Sequence, residues 1–81
     1  MGVPVTVRYF AGARAAAGVE TEQVGAASLG ELVDLLGARG ERMTKVLAAC
    51  SFLVDGVSAR DRSAGLPDGA TVDVLPPFAG G

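Results

Sequence analysis

The last six residues of this 81-residue sequence have the composition best suited to a chemical role; they are Pro76, Pro77, Phe78, Ala79, Gly80 and Gly81. Two consecutive prolines favour an extended chain, and the four residues after them can reach ~13 Å at ~3.3 Å each. The two glycines have no side chains and would fit a narrow channel in another protein. We therefore expect residues 78–81 to be an extended and flexible Gly-Gly tail on a domain formed by residues 1–77.

The carboxylate of Gly81 is the group in this segment that could react. Its pKa of ~3.5 leaves it ionised at neutral pH, and a carboxylate is a poor electrophile. It becomes reactive when an ATP-dependent enzyme converts it to an acyl adenylate. The alternative is a frayed end without a function, which is common at chain termini.

Side chains that usually carry catalysis are scarce. The chain has no histidine and one cysteine, Cys50, which excludes a Ser-His-Asp triad, a Cys-His pair, an internal disulfide and most zinc or haem sites. Asp55, Asp61, Asp68 and Asp73 are spread over predicted turns and a strand, where aspartates usually make local hydrogen bonds. We expect Cys50 to be a buried small hydrophobe, and we expect this chain to bind no metal or cofactor.

Charge and hydropathy predict the compartment. The net charge is -2 and no two basic residues are adjacent, so a basic stripe for nucleic acid is absent from the sequence. The longest apolar run, residues 46–54, is broken by Ser51 and is too short to cross a bilayer. Residues 1–6 fit a loose myristoylation pattern, but they are better predicted as the start of a strand. We expect a cytoplasmic protein with no membrane partner and a free Cys50 thiol.

The first part of the chain predicts two strands around a short helix. Valines and Tyr9 alternate with other residues over 3–10, which predicts a strand with its valines facing the core and Phe10 on the opposite face. Residues 11–17 are rich in alanine and are followed by Gly18, as expected of a short helix with a glycine stop. Residues 19–24 predict a second strand.

The rest of the chain predicts two helices followed by strands. Ser28 and Glu31 form a capping-box pattern at the start of a helix over 29–38, and a shorter helix follows over 41–49. Residues 52–54, the turn formed by Asp55 and Gly56, and the strand that begins after it predict a hairpin. The last strand covers 71–75 and ends at the proline pair, which cannot extend a hydrogen-bonded ladder.

This order of elements predicts an α+β fold with helices on one face of a sheet. If the first and last strands lie side by side in the centre, the sheet is mixed, has four or five strands and wraps one main helix. That arrangement is the β-grasp, or ubiquitin-like, fold.

Four segments of the sequence carry a resemblance to a known family; they are residues 9–14 with Gly18, 28–32, 66–72 and 75–81. The Pro-Pro-x-x-Gly-Gly ending is the most specific of them. Together they resemble the MoaD/ThiS family of ubiquitin-like sulfur carriers, and most closely the small subunit of molybdopterin synthase.

The resemblance implies a reaction cycle carried out with partners. An adenylating, E1-like enzyme would activate the Gly81 carboxylate with ATP and magnesium, and a persulfide donor would convert it to a thiocarboxylate. The tail would then enter the large synthase subunit, in a heterotetramer of two small and two large subunits, and give its sulfur to a pterin precursor. Catalytic side chains, nucleotide and metal would belong to the partners, so that this chain is a carrier rather than an enzyme.

Partner binding needs a surface beside the tail. Phe10 and Leu75 are out of phase with the core valines on neighbouring predicted strands, and with Phe78 they could form an exposed apolar patch. We call these three residues the docking patch. The family's usual aromatic before the prolines is here Leu75, and its usual valine after them is Phe78. The alternative is that the chain's own loops cover some of these side chains.

Other functions remain open from the sequence. The same carrier chemistry could serve cysteine synthesis or the thiazole of thiamine. A β-grasp interaction module, or a protein modifier whose tail forms isopeptide bonds, belongs to a different class. A stand-alone enzyme is the least favoured because the side chains for it are missing.

Overall fold

The structure, a computed structural model, describes residues 4–77. The elements are β1 (Pro4–Tyr9), α1 (Ala11–Ala17), β2 (Thr21–Gly25), α2 (Leu29–Gly37), α3 (Glu41–Ala49), β3 (Ser51–Val54), β4 (Val57–Ala59) and β5 (Thr71–Leu75). Within the described range they agree with the predicted order, with boundaries shifted by one or two residues. Val3, predicted in the first strand, lies outside the described residues.

The sheet has five strands in the order β2-β1-β5-β3-β4. The first and last strands are parallel neighbours in its centre, whereas the β1–β2, β3–β4 and β3–β5 pairs are antiparallel. The predicted mixed sheet is therefore confirmed, and the architecture is the β-grasp fold. Because β5 is the central strand, the C-terminal segment starts in the middle of the sheet, at the end where β5 finishes.

The core lies between one face of the sheet and the helices. Val5, Val7 and Tyr9 of β1 are buried, as are Val72 and Val74 of β5. Side chains alternate between the two faces of a strand, so the intervening residues lie on the outer face of the sheet. The predicted inward orientation of the β1 valines is confirmed.

Helix α2 supplies the opposite side of the core. The Ser28 hydroxyl accepts a hydrogen bond from the Glu31 backbone N–H at 3.2 Å, as the capping pattern predicts. The backbone N–H of Gly30 donates to the Arg62 carbonyl at 2.8 Å, so the loop after β4 holds the start of the helix. A Cβ on Gly30 would lie 3.0 Å from that carbonyl oxygen, which explains the glycine at this position.

Strands β3 and β4 form a hairpin that is connected by a two-residue turn. Asp55 and Gly56 have φ values of 50° and 84°, and positive φ at both central positions is typical of the type I′ turn that suits strand twist. The Asp55 carboxylate accepts a hydrogen bond from the Thr71 N–H at 2.9 Å. The hairpin is thereby tied to the start of β5.

One polar cluster closes the edge of the core near β2. Tyr9 is 3% exposed, and its hydroxyl donates a hydrogen bond to Glu22 at 2.6 Å. The Arg39 guanidinium pairs with the same carboxylate through two nitrogens. These bonds lower the pKa of Glu22, with Arg39 as the main cause, while burial and Glu22 raise the pKa of Tyr9. The cluster joins two strands to the turn between α2 and α3.

We expect Glu22→Gln to lower the free energy of unfolding by about 1–2 kcal/mol at pH 7, because a charge-assisted hydrogen bond to a half-buried group is lost. The pKa of Glu22 is lower in the folded protein than the ordinary 4.5, so its contribution is present above that pH and is lost as the pH falls. The variant should therefore show a weaker acid destabilisation below about pH 4.5, measured by denaturation from pH 7 to pH 3.

Glu20→Gln is the matched control for this prediction. Glu20 pairs with Arg14 at 2.9 Å, but both side chains are more than half exposed. Such a surface pair contributes about 0.5 kcal/mol or less. If both variants lost the same free energy of unfolding, the stabilising role given to Glu22 would be contradicted. The same holds if Glu22→Gln lost stability at low pH as steeply as the wild type.

No helix within residues 4–77 is long and apolar enough to cross a membrane.

Candidate functional site

The site begins where the two central strands end together. β1 and β5 run parallel with Tyr9 paired to Val74, so the next residues, Phe10 and Leu75, lie side by side at the same edge of the sheet. The Phe10 N–H donates to the Val74 carbonyl at 3.2 Å and continues the pairing by one step. Both side chains are half-buried. The structure thus places two members of the docking patch together, and their role in binding stays a prediction.

The C-terminal segment leaves the sheet at this edge. β5 ends at Leu75 before the proline pair, as the missing N–H groups predict; Pro76 is half-buried and Pro77 is exposed. We call Leu75, Pro76 and Pro77 the tail root. Phe78, Ala79, Gly80 and Gly81 lie outside the described residues, so the predicted third docking residue and the reactive end stay predictions.

An ion pair on the outer face of the sheet adjoins the tail root. Arg8 donates from Nε to one oxygen of Asp73 at 2.6 Å and from Nη2 to the other at 3.1 Å. Asp73 is only 8% exposed, and the bidentate bond raises the pKa of Arg8. The Arg8 guanidinium carbon also lies 5.5 Å from the centre of the Phe10 ring, within the range of a cation–π contact. The pair therefore anchors Arg8 over Phe10 and helps to fix the ring beside Leu75.

Sequence reasoning missed this ion pair. Arg8 and Asp73 both lie out of phase with the buried valines, so the pattern places each on the outer face. Their contact depends on the register between strands 65 residues apart in the chain. A search for opposite charges at matched positions of the predicted central strands would have found the pair.

The backbone immediately after Phe10 is in an unusual conformation. Ala11 has a φ of 47°, in the left-handed region that residues with a Cβ rarely adopt, and it begins α1 without a side-chain cap. This conformation costs roughly 1–2 kcal/mol for an ordinary residue. The strained residue lies directly after Phe10, where the chain leaves the sheet and enters α1.

We expect Ala11→Gly to leave the free energy of unfolding within about 0.5 kcal/mol of the wild type, or to raise it. Glycine relieves the left-handed strain, which offsets the ~1 kcal/mol that it ordinarily costs in a helix. Ala15→Gly, in an exposed position of the same helix, should lose the full ~1 kcal/mol. Urea denaturation of both variants compares them, and equal losses would show that Ala11 carries no strain.

A cavity of about 400 Å³ lies on the β2 side of this region and is lined by Arg8, Phe10, Arg14 and Glu20, among others. Arg14, which belongs to the first segment that resembles the family, therefore lies near the docking patch rather than in the core. Its guanidinium donates to Glu20 at 2.9 Å. The cavity gives the region a concave, charged border next to its apolar centre.

Cys50 and the acidic side chains are the remaining candidates for chemistry within residues 4–77. Cys50 is a free thiol at the end of α3, half-buried rather than fully buried, because α3 ends there and the backbone turns to the extended form. Burial raises the pKa of its thiol, which favours the protonated form. No group of three or more acidic or cysteine side chains that could hold a metal ion occurs in this part of the chain.

Comparisons with solved structures agree with this architecture. Subunit 1 of a molybdopterin converting factor from Pyrococcus furiosus matches with a TM-score of 0.83 and 29% identity, over 93% of this chain and 98% of that one. A chain in the solved complex of subunits 1 and 2 of the molybdopterin-converting factor from Helicobacter pylori also matches. Its TM-score is 0.75 and its identity is 26%, over 98% of this chain and 100% of that one.

A further structural relative shares the fold alone. It is the small archaeal modifier protein 1 of Methanosarcina acetivorans, with a TM-score of 0.86 and 20% identity, over 100% of this chain and 99% of that one. A search of curated protein sequences finds no match.

The family comparison covers nearly the whole chain. The profile of the ThiS family matches residues 7–81, which include β1 from Val7, all three helices, the tail root and the Gly-Gly ending. Together with the β-grasp topology, this match shows that the chain belongs to the ThiS family.

Proposed function

We propose that this protein is a sulfur carrier that donates sulfur from Gly81 to a pterin precursor in the synthesis of molybdopterin. The observation that carries the proposal is the position of the tail root. The central strand β5 delivers the chain beside Phe10 and Leu75, so a partner bound there would be next to the emerging Gly-Gly segment. The match to subunit 1 of molybdopterin converting factors over nearly the full length of both chains supports it.

Loading would require two partner activities. An adenylating enzyme with ATP and magnesium would form the acyl adenylate of Gly81 and release pyrophosphate. The terminal sulfur of a persulfide would attack the carbonyl carbon and displace AMP, giving an acyl disulfide. A thiol reductant would then cleave the sulfur–sulfur bond and leave a thiocarboxylate on this chain.

Unloading would take place in a large subunit. The similarity to a solved complex of subunits 1 and 2 of a molybdopterin converting factor supports a partner of this kind. Its surface would cover Phe10 and Leu75, and Phe78 would follow into the interface. The side-chain-free Gly80 and Gly81 would pass into its active site, where the thiocarboxylate sulfur attacks the precursor and water restores the carboxylate.

A protein modifier is the second candidate. The fold shared with small archaeal modifier protein 1 favours it, because the same activated Gly81 could acylate a lysine amine instead of a sulfur donor. The two functions share the adenylation step and differ in the nucleophile.

Reconstitution separates these candidates. The chain is incubated with the adenylating enzyme, ATP with magnesium, a persulfide donor and a thiol reductant, together with the large subunit from the same organism and the pterin precursor, and the dithiolene product is measured; parallel samples contain a cysteine- or thiazole-forming acceptor. We expect one sulfur to leave each carrier and the product to form. Formation of isopeptide-linked conjugates without dithiolene would favour the modifier. Sulfur transfer only to a cysteine- or thiazole-forming acceptor would retain the carrier and replace the pathway.

A further inference from the structure

A groove on the helix side of the β3–β4 edge is not used by the proposed sulfur transfer. Its volume is about 430 Å³, and it lies between the end of α3, the start of α2 and the strands β3 and β4. Its apolar lining includes Val33, Leu47, Ala48 and Phe52, and its rim carries Arg60 and Arg62. A groove of this size can hold an aromatic side chain with a short stretch of chain.

The register of the sheet places this groove near the tail root. Leu75 pairs with Ser51, which lines the groove, and Phe52 pairs with Ala59 on the next strand. If the antiparallel β3–β4 pairing of Phe52 with Ala59 is continued by one residue, Arg60 lies opposite Ser51. Neighbouring strands are ~4.8 Å apart, so the backbones at Leu75 and Arg60 are separated by about 10 Å.

The two arginines at the rim differ in whether their guanidinium groups already have partners. Arg62 donates to the Asp34 carboxylate at 2.7 Å and to the Gly30 carbonyl at 3.2 Å, so its guanidinium is engaged. Arg60 is exposed, and its side chain forms no ion pair or hydrogen bond with any residue of the 4–77 range. The groove therefore offers an apolar interior and one available cation at its border.

The C-terminal segment has the complementary chemistry. After Leu75 the sequence provides six residues, which span up to ~20 Å when extended, twice the separation to be crossed. Phe78 supplies an aromatic side chain, Gly80 and Gly81 allow the chain to bend, and the last residue carries a carboxylate. An apolar ring followed by an anion matches an apolar groove bordered by a cation.

We propose that in the free protein residues 78–81 dock into this groove, with Phe78 against its apolar lining and the Gly81 carboxylate against Arg60. In this arrangement the carboxylate is paired with Arg60 until a partner displaces the segment. Docking itself requires no sulfur chemistry, whereas a role in holding the carboxylate before loading rests on the proposed function.

Amide chemical shifts of the isolated protein test the docking without any partner enzyme, so the result is independent of sulfur transfer. The 81-residue chain is compared with a variant that ends at Pro77, which removes none of the buried core between Val5 and Val74. We expect shift changes confined to groove residues such as Ser51, Ser58 and Ala59. Identical groove shifts in the two proteins would overturn the proposal.

Two substitutions in the 81-residue chain identify the contacts. Arg60→Glu and Phe78→Ser should each move the groove amides towards their positions in the truncated variant. Arg42→Glu, the same charge change at an exposed position of α3 outside the groove, should leave them in place. If the shifts depend on protein concentration, the groove binds the segment of a second copy, which would overturn docking within one chain.

Discussion

Phe10→Arg is expected to weaken binding to the large subunit at least ~30-fold while the domain stays folded. Phe10 lies beside Leu75 at the tail root, under the guanidinium of Arg8, so the substitution replaces an apolar contact with a second positive charge. Loss of a central aromatic contact commonly costs 2 kcal/mol or more in an interface, which corresponds to this factor. Isothermal titration with the large subunit measures the affinity, and urea denaturation measures the stability.

Val57→Arg is the matched control for this substitution. Val57 is 68% exposed, but it lies at the β4 edge, three strands from β1. The same change of side chain there should leave binding within about twofold, since peripheral surface positions contribute little. An unchanged affinity in Phe10→Arg, or unfolding of that variant, would contradict the docking patch; unfolding would show that Phe10 belongs to the core.

Leu32→Ala is expected to have the largest effect on stability, a loss of about 3–4 kcal/mol. Leu32 is 0% exposed in the middle of α2, and removing its methyl groups leaves a cavity against the central strands. A domain of this length has a total stability of roughly 4–12 kcal/mol, so the variant should be partly unfolded at 25 °C or close to it. Thermal and urea denaturation measure the loss.

Leu35→Ala tests whether this cost comes from burial rather than from the helix itself. Leu35 lies in the same helix, but it is 44% exposed. Alanine has at least as high a helix propensity, so the free energy of unfolding should change by less than about 1 kcal/mol. Similar losses at both positions would contradict the orientation of α2.

Local pattern predicted most of the fold because the strands and helices have clear periodicity and end signals. The alternating valines, the Ser28 cap, the Asp55–Gly56 turn and the proline pair each act over a few residues. The neighbouring placement of β1 and β5 is different, since it joins the two ends of the chain. The β-grasp prediction therefore depended on that pairing, which the structure now supplies.

The candidate site was predictable only where it follows from strand phase. Phe10 and Leu75 fall on the same face by alternation, and the register of β1 against β5 places them at neighbouring positions, while their role in binding stays a prediction. The Arg8–Asp73 pair required the register between distant strands, and the left-handed Ala11 required the geometry of the turn into α1.

The central claim is that the carboxylate of Gly81 becomes a thiocarboxylate. Intact-mass measurement after incubation with the adenylating enzyme, ATP with magnesium, a persulfide donor and a thiol reductant tests it directly. We predict a mass gain equal to one sulfur for one oxygen, located at Gly81 by fragmentation, and no gain in a variant that lacks Gly81. An unchanged mass, with an enzyme shown to load its own carrier under the same conditions, would contradict the account.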